Sequence, residues 1–372
     1  METLDIALVH PELIYPRGAE KQLCNLAREL MRAGHGVTVY TFEKKSPYIF
    51  DHLLEGSKII SLDKPWRVEP LVANYPRWYS LCRELAGKMG PHDIINCHNF
   101  PASWVPHFAK KPSVWMCNEP PGLYSYLQPL SARNALKKLF YRPFSVFDQR
   151  MTKGIHTIAC LDRMMEKTIS VGYPGRRLVV VGSGAELEKE VKHEENKAAD
   201  VLFVGALDQH KRAGDIVEAL GKLRGPPIKL HIVGSGPLRN AIESRARALG
   251  VDLATYGNVD EETLYSLYSI ADLAVYVPES QPWGIFPLEA ILCGIPTVIS
   301  DECGVRDILE GGIPVVKRGD TDELARKISD LIANPQNYKK GLEEKRLLLK
   351  KEYTWKAYAG RMAGLFREAL AE

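Results

Sequence analysis

Short runs of β-branched and apolar residues alternate with helix-periodic stretches along this chain, and the alternation starts afresh in the second half. The first series opens with Ile6–Val9, a helical pattern over Ala19–Ala33 and Val37–Thr41. It continues through Lys58–Ser61, Asp93–Cys97, Val114–Cys117 and Thr157–Cys160, with an expected end near residue 181. Nearly continuous apolar strands separated by helices predict a parallel sheet covered on both faces. After the polar, Glu/Lys-rich stretch Glu186–Asp200, a second series begins at Val201–Val204. Its further strands are expected at Lys229–Val233, Thr255–Tyr256, Leu273–Val277, Pro296–Ile299 and Ile313–Val316, and its helices over 213–223, 237–249, 260–270, 285–293 and 321–333. A chain of 372 residues exceeds what one core usually serves. The pattern therefore predicts two α/β domains, 1–185 and 186–352, followed by a last helix, about 355–371, in a C-terminal segment 353–372 that returns to the first domain.

Composition removes several classes. Apolar residues make up 45% and charged residues 26%, the balance of a globular enzyme. The start, Met-Glu-Thr-Leu-Asp, lacks the basic, apolar build of a signal peptide, and no apolar stretch approaches the roughly 20 residues of a membrane-crossing helix. A cytoplasmic protein is expected, with any membrane contact peripheral. The seven cysteines are scattered and never spaced as Cys-x-x-Cys, which predicts buried free thiols and neither zinc site nor disulfide framework. Residues 1–185 carry 24 Lys/Arg against 16 Asp/Glu, and residues 186–372 carry 25 against 30. A basic first half is open to anionic partners without naming one.

Two Gly-x-Gly turns follow predicted strands, Gly182-Ser183-Gly184 and Gly234-Ser235-Gly236, where glycine lets backbone approach a phosphate. A dinucleotide fingerprint needs a third glycine, but Leu187 and Arg239 hold those places, which argues against a dehydrogenase. The one Asp-x-Asp, Asp320-Thr321-Asp322, precedes an apolar-periodic helix and reads as its cap, not as a metal site.

The segment richest in chemistry is Glu279-Ser280-Gln281-Pro282-Trp283-Gly284-Ile285-Phe286-Pro287-Leu288-Glu289-Ala290, followed by Cys293-Gly294-Ile295-Pro296. It reads as strand, loop and helix, with amides from Gly284 onward opening at a helix N-terminus and a carboxylate one turn inside. Here the sequence resembles the retaining family-four glycosyltransferases, whose signature is Glu, seven residues, Glu. In that family the second Glu binds the nucleotide's ribose, the first reaches the transferred sugar, and the amides between line the sugar pocket. The resemblance assigns the ribose role to Glu289 and the sugar contact to Gln281, with Trp283, Gly284, Ile285, Phe286 and Leu288 between them. Gln281 replaces the usual Glu: it still binds hydroxyls but brings no charge.

Further matches follow in the family's order: Gly18-Ala19-Glu20, Asp93 to His98, Phe203-Val204-Gly205-Ala206-Leu207 with Lys211, Ile232 to Pro237, Tyr256-Gly257-Asn258-Val259 and Tyr353-Thr354-Trp355. They imply that Gly18, Gly205, Asn258 and Val259 approach the donor, and that Lys211, with Arg212 as substitute for a cation lost at Ala206, meets its diphosphate. Asn118 stands where the family often has a His near the sugar, which makes it a hydroxyl contact that cannot shuttle protons. Arg17, His98 and Asn99 are expected on the acceptor side. The resemblance implies a GT-B fold, two Rossmann-like domains facing across a cleft, and a metal-independent reaction without cofactor. A sugar from a UDP- or GDP-sugar passes to a glycan, a lipid-linked glycan or a small acceptor, with no nucleic acid involved. A non-catalytic sugar-nucleotide binder, and an epimerase or phosphorylase on the same fold, are the alternatives. Asn134–Lys153 interleaves basic and aromatic residues in a pattern suited to an anionic membrane surface, with Pro143 expected to interrupt any continuous helix.

Overall fold

The computed structural model describes residues 3–15, 17–67, 74–119, 132–187, 189–192, 199–225 and 227–372, with backbone alone for 132–141. The chain forms two compact units, residues 1–184 with 355–372, and residues 185–354.

The first unit holds seven parallel strands. They are β1 (Asp5–Leu13), β2 (Gly36–Lys44), β3 (Lys58–Ser61), β4 (Ile94–His98), β5 (Ser113–Cys117), β6 (Thr157–Cys160) and β7 (Leu178–Val180), in the order β3-β2-β1-β4-β5-β6-β7. Reversal of direction at β1 creates the switch point at which open α/β sheets place ligand sites, beside the carboxyl ends of the strands. Apolar residues of β1, β4 and β5 are shut off from solvent because helices cover both faces. Helix α1 (Gly18–Arg32) follows β1 and packs against the C-terminal helix Trp355–Ala371, which belongs to this unit. Gly184 lets its own segment pass close to the start of that helix, since a Cβ there would clash with Trp355 at 2.4 Å.

The second unit repeats the plan with β8 (Ala199–Val204), β9 (Ile228–Val233), β10 (Asp252–Gly257), β11 (Leu273–Tyr276), β12 (Thr297–Ser300) and β13 (Val315–Val316), in the order β10-β9-β8-β11-β12-β13. Helices Ala213–Lys222, Arg239–Leu249, Glu261–Ile270, Ile285–Leu292 and Thr321–Ala333 fall where the periodicity places them. Asp320 caps the last of these by accepting from the Glu323 amide at 2.8 Å, and Asp322 pairs with Lys222 at 2.7 Å. All seven cysteines are free thiols, six of them buried and Cys293 partly exposed.

One expectation is corrected. Pro143 does not end a helix: Ala132–Met151 runs through it, and aromatic packing of Phe144 on Tyr75 and of Phe147 on Trp104, at ring separations of 4.7 and 5.3 Å, holds the turns that proline weakens. Lys137 and Lys138, part of the basic pattern there, lie outside the described side chains. The glycines of 234–236 serve chain packing. Gly234 has φ of 134°, and a Cβ on it would overlap the Gly205 carbonyl oxygen; one on Gly236 would overlap the Leu207 carbonyl. The two loops are zipped by Leu207 N–H to Ser235 O at 2.9 Å and Leu238 N–H to Leu207 O at 3.0 Å. Gly234→Ala should therefore lower stability by more than about 2 kcal/mol, read as a lower urea midpoint at unchanged slope. A midpoint within experimental error of the wild type would show that these loops separate freely.

Candidate active site

The loop joining β11 to helix Ile285–Leu292 carries the signature, and its backbone is under tension. Ser280, Trp283 and Gly284 have φ of 48°, 57° and 122°, and Arg212 on the facing loop has 52°. Non-glycine residues hold such angles only where their surroundings impose them, which happens most often at functional sites. Here main-chain hydrogen bonds impose them: Gln281 N–H to Glu302 O at 3.0 Å, Gly304 N–H to Gln281 O at 2.9 Å, and Glu279 N–H to His210 O at 2.8 Å. Gly284 is the N-cap of the helix, so the amides of Ile285 and Phe286 stand at its N-terminus, while Phe286 and Leu288 are buried.

The same bonds bring together side chains seventy residues apart. The Lys211 ammonium donates to the Gln281 amide oxygen and, at 3.1 Å, to the Tyr276 hydroxyl at the end of β11. Lys211 is itself positioned by its backbone N–H, which donates to the Asp208 carboxylate at 2.9 Å. Glu289 is buried and accepts from the Tyr268 hydroxyl at 2.9 Å, with Tyr268, Phe286, Tyr276 and Phe203 forming an aromatic wall behind it. Sequence reasoning missed Tyr276 and Tyr268, which read there as core positions of a strand and a helix.

Arg212, expected as a diphosphate cation, lies beside Lys211 on the loop before helix Ala213–Lys222. Its guanidinium pairs with Asp215 at 2.7 Å and lies 3.6 Å from Glu279, which Arg318 also engages at 2.6 Å. Asn258 accepts from the Ser235 hydroxyl at 3.2 Å, Val259 follows it at the end of β10, and Gly205 lies on the loop after β8.

In the first unit the candidates lie at the carboxyl edge of the sheet. Gly18 opens α1, and Arg17 before it is exposed, 3.8 Å from Glu12. His98 ends β4, fully buried, with Nε2 at 2.8 Å from the Asn96 amide oxygen; Asn99, at φ 58°, accepts from the Asn118 amide at 3.3 Å. The Asn118 side chain is buried and neither of its polar atoms meets a partner. Pro120 and Pro121 beyond it lie outside the described residues.

Glu20, in the first turn of α1, carries an open Oε2 and is 3% exposed. Burial, with Glu12 and Glu119 nearby, pushes its carboxyl up to about 7, while its own amide and Arg17 pull the other way. Because this folded value exceeds the ordinary 4.5, the unfolded chain holds fewer protons between the two, and stability falls as pH rises through that window. Glu20→Gln should remove that loss, so its stability relative to the wild type should grow from pH 4.5 to above 7 in paired denaturant melts. A constant difference across that range would mean Glu20 is ionised in the fold.

Among the described residues no three His, Cys, Asp or Glu side chains are placed to hold a metal ion, and no helix is long and apolar enough to cross a membrane.

Two parallel sheets of this build, with a strained loop running into a carboxylate-bearing helix, define the GT-B class. Residues 16–189 match the family model described as Glycosyltransferase Family 4, and residues 185–347 match Glycosyl transferases group 1. An uncharacterised glycosyltransferase of Methanocaldococcus jannaschii is 25% identical, with 93% of each chain covered. A GDP-mannose-dependent phosphatidylinositol dimannoside mannosyltransferase of Mycobacterium tuberculosis is 25% identical over 44% of this chain and 42% of its own. In fold the chain is similar to the sucrose-phosphate synthase of Thermosynechococcus elongatus, with a TM-score of 0.79, 19% identity and 99% of each chain covered. It is also similar to HepE of Anabaena, solved with UDP and glucose, with a TM-score of 0.74, 16% identity, and 98% and 100% covered. The chain belongs to the family-four, group 1 glycosyltransferases.

Proposed function

We propose that the chain is a retaining hexosyltransferase that moves a sugar from a nucleotide sugar to a hydroxyl of a glycan, lipid-linked or small-molecule acceptor, with no metal ion. The observation that carries this reading is the junction of Lys211, Tyr276 and Gln281 at the strained loop ahead of Glu289. Glu289 binds the ribose, Gln281 and the amides after Gly284 hold the transferred sugar, and Lys211 lies against the diphosphate. When the bond from the anomeric carbon to the diphosphate breaks, the electron pair moves to the phosphate oxygen, where Lys211 stabilises it. The acceptor oxygen bonds to the same face of that carbon, and its proton passes to the departing phosphate. Asn118, Arg17, His98 and Asn99 serve the sugar and acceptor side.

The HepE complex with UDP and the GDP-mannose dependence of the mycobacterial relative support a nucleotide-sugar donor and make both bases arms of one experiment. A thermal-shift screen of UDP-, GDP-, ADP- and TDP-sugars should show one that raises the melting point, since about 2.7 kcal/mol accrues at a hundredfold excess over Kd. No shift with any donor would overturn the reading. Binding without turnover across an acceptor panel would favour the non-catalytic alternative, which Ala206, Asn118 and Gln281 motivate.

The proposal extends to a cytoplasmic protein resting against an anionic membrane through helix Ala132–Met151, where Arg142, Val146, Phe147 and Arg150 are exposed. Co-sedimentation with anionic liposomes at low salt, lost at high salt, is the expected result. Absence of the protein from the pellet at low salt would sink that extension.

A further inference from the structure

We propose that the carboxyl edge of the first unit's sheet holds a subsite of His10, Glu20, His98 and Asn118 that takes a hydrogen-donating group of the acceptor, hydroxyls or an amine, and excludes phosphate and carboxylate. The inference rests on the acceptor placement proposed above and adds the chemistry that this chain's own residues select. Parallel pairing of β1 with β4 sets Val9 across from Cys97, so His10 and His98 come side by side, their rings 6.4 Å apart. Pairing of β4 with β5 sets His98 across from Met116, two residues before Asn118. Glu20 lies in the first turn of α1, the helix that follows β1, the strand carrying His10.

Hydrogen-bond partners settle which ring nitrogens carry protons. The His10 Nδ1 lies 2.7 Å from the Glu12 carbonyl oxygen, which can only accept, and 3.3 Å from the Glu12 N–H, which can only donate; the shorter contact favours the tautomer with the hydrogen on Nδ1. The Asn96 amide nitrogen donates to Val114 O, which turns its oxygen toward His98 and puts the hydrogen on the His98 Nε2. Burial holds both rings neutral, lowering His10 to about 4 and His98 well below its ordinary value. The His10 Nε2 and the His98 Nδ1 are thus bare acceptors, and both lack a partner, as do the Glu20 Oε2 and both polar atoms of Asn118. Three open acceptors, the His10 Nε2, the His98 Nδ1 and the Asn118 Oδ1, stand against one open donor, the Asn118 amide nitrogen, while the Glu20 carboxyl, raised to about 7, can accept or donate. Buried polar atoms left unmatched are unfavourable, so the occupant must bring donors. A fully ionised phosphate or a carboxylate brings only acceptors and would also meet the Glu12 and Glu119 carboxyl groups that act on Glu20. The surplus of basic residues in this half of the sequence therefore gives no guide to what this subsite accepts.

Saturation-transfer NMR with glucose, glucosamine and glucose 6-phosphate tests the proposal on the full chain, with UDP and GDP titrated in parallel. Glucose or glucosamine should bind, with the stronger of the two naming hydroxyls or amine as the favoured donor. Glucose 6-phosphate should be weaker by about tenfold or more, and Glu20→Ala should weaken the bound sugars by about tenfold while leaving the nucleotide untouched. Preference for the phosphate, no binding of any of the three sugars, or equal binding in Glu20→Ala would overturn it. Nucleotide failing while sugars bind would count against the donor reading and leave this subsite standing. Should Glu20→Ala unfold, long-range 15N spectra of the wild-type imidazoles near neutral pH provide an independent test: Nδ1–H for His10 and Nε2–H for His98 are expected, and a doubly protonated ring at either position refutes the acceptor-rich pocket.

Discussion

Lys211→Ala should lower kcat by on the order of a hundredfold or more while raising KM for the donor far less. Charge on the diphosphate grows as the glycosyl bond lengthens, so a cation held beside it contributes most in the transition state. The ammonium is fixed in place: Asp208 holds the backbone of Lys211, and Tyr276 and Gln281 receive its side chain. The neighbouring Arg212 guanidinium lies instead against Asp215 and Glu279, so Arg212→Ala is the control. Lys211→Met separates charge from volume, and should match the alanine variant in kcat if charge is the cause. Steady-state kinetics on folded variants decide the matter; unchanged turnover would make Lys211 a structural residue of the loop.

Glu289 and Gln281 should fail in different ways, because the ribose is shared by free nucleoside diphosphate and intact donor whereas the sugar is not. Glu289→Ala is expected to weaken both ligands by roughly 1.5 to 3 kcal/mol, the range of a charge-assisted hydrogen bond. The buried Tyr268 hydroxyl donates to the same carboxylate, so the variant also strands that hydroxyl, and circular dichroism must first show intact folding. Glu289→Gln keeps an acceptor for Tyr268 and isolates the loss of charge. Gln281→Ala should leave the diphosphate's affinity unchanged and penalise the intact donor and its turnover. Calorimetric titration of each variant with both ligands tests the division. Equal losses for both ligands in Gln281→Ala would move the sugar pocket elsewhere.

Period and punctuation in the sequence determined most of the architecture. Runs such as Lys58–Ser61 and Thr157–Cys160 are strands at the residues their β-branched composition marks, and the helix beginning at Trp355 follows its apolar spacing. Those signals are local, and the second sheet restarts where the polar stretch ends. The Gln281 to Glu289 spacing likewise placed a loop and a helix N-terminus, because an eight-residue separation on one strand–loop–helix unit survives folding unchanged.

What the chain could not announce depends on contacts between distant segments. Pro143 reads as a helix break until Tyr75 and Trp104 pack against its neighbours. Gly234 and Gly236 are also fixed by packing that no local signal announces, since the carbonyls of Gly205 and Leu207 occupy the space their missing side chains leave. Lys211 and Arg212 are adjacent in sequence and equivalent in charge, yet only the fold sends one to Gln281 and the other to Asp215 and Glu279. Glu20 reads in the sequence only as part of the Gly18-Ala19-Glu20 match, and neither it nor His10 is given a role there. Their open polar atoms matter only because parallel strands set His10 beside His98, α1 carries Glu20 in its first turn, and burial strips away the water that would otherwise satisfy them.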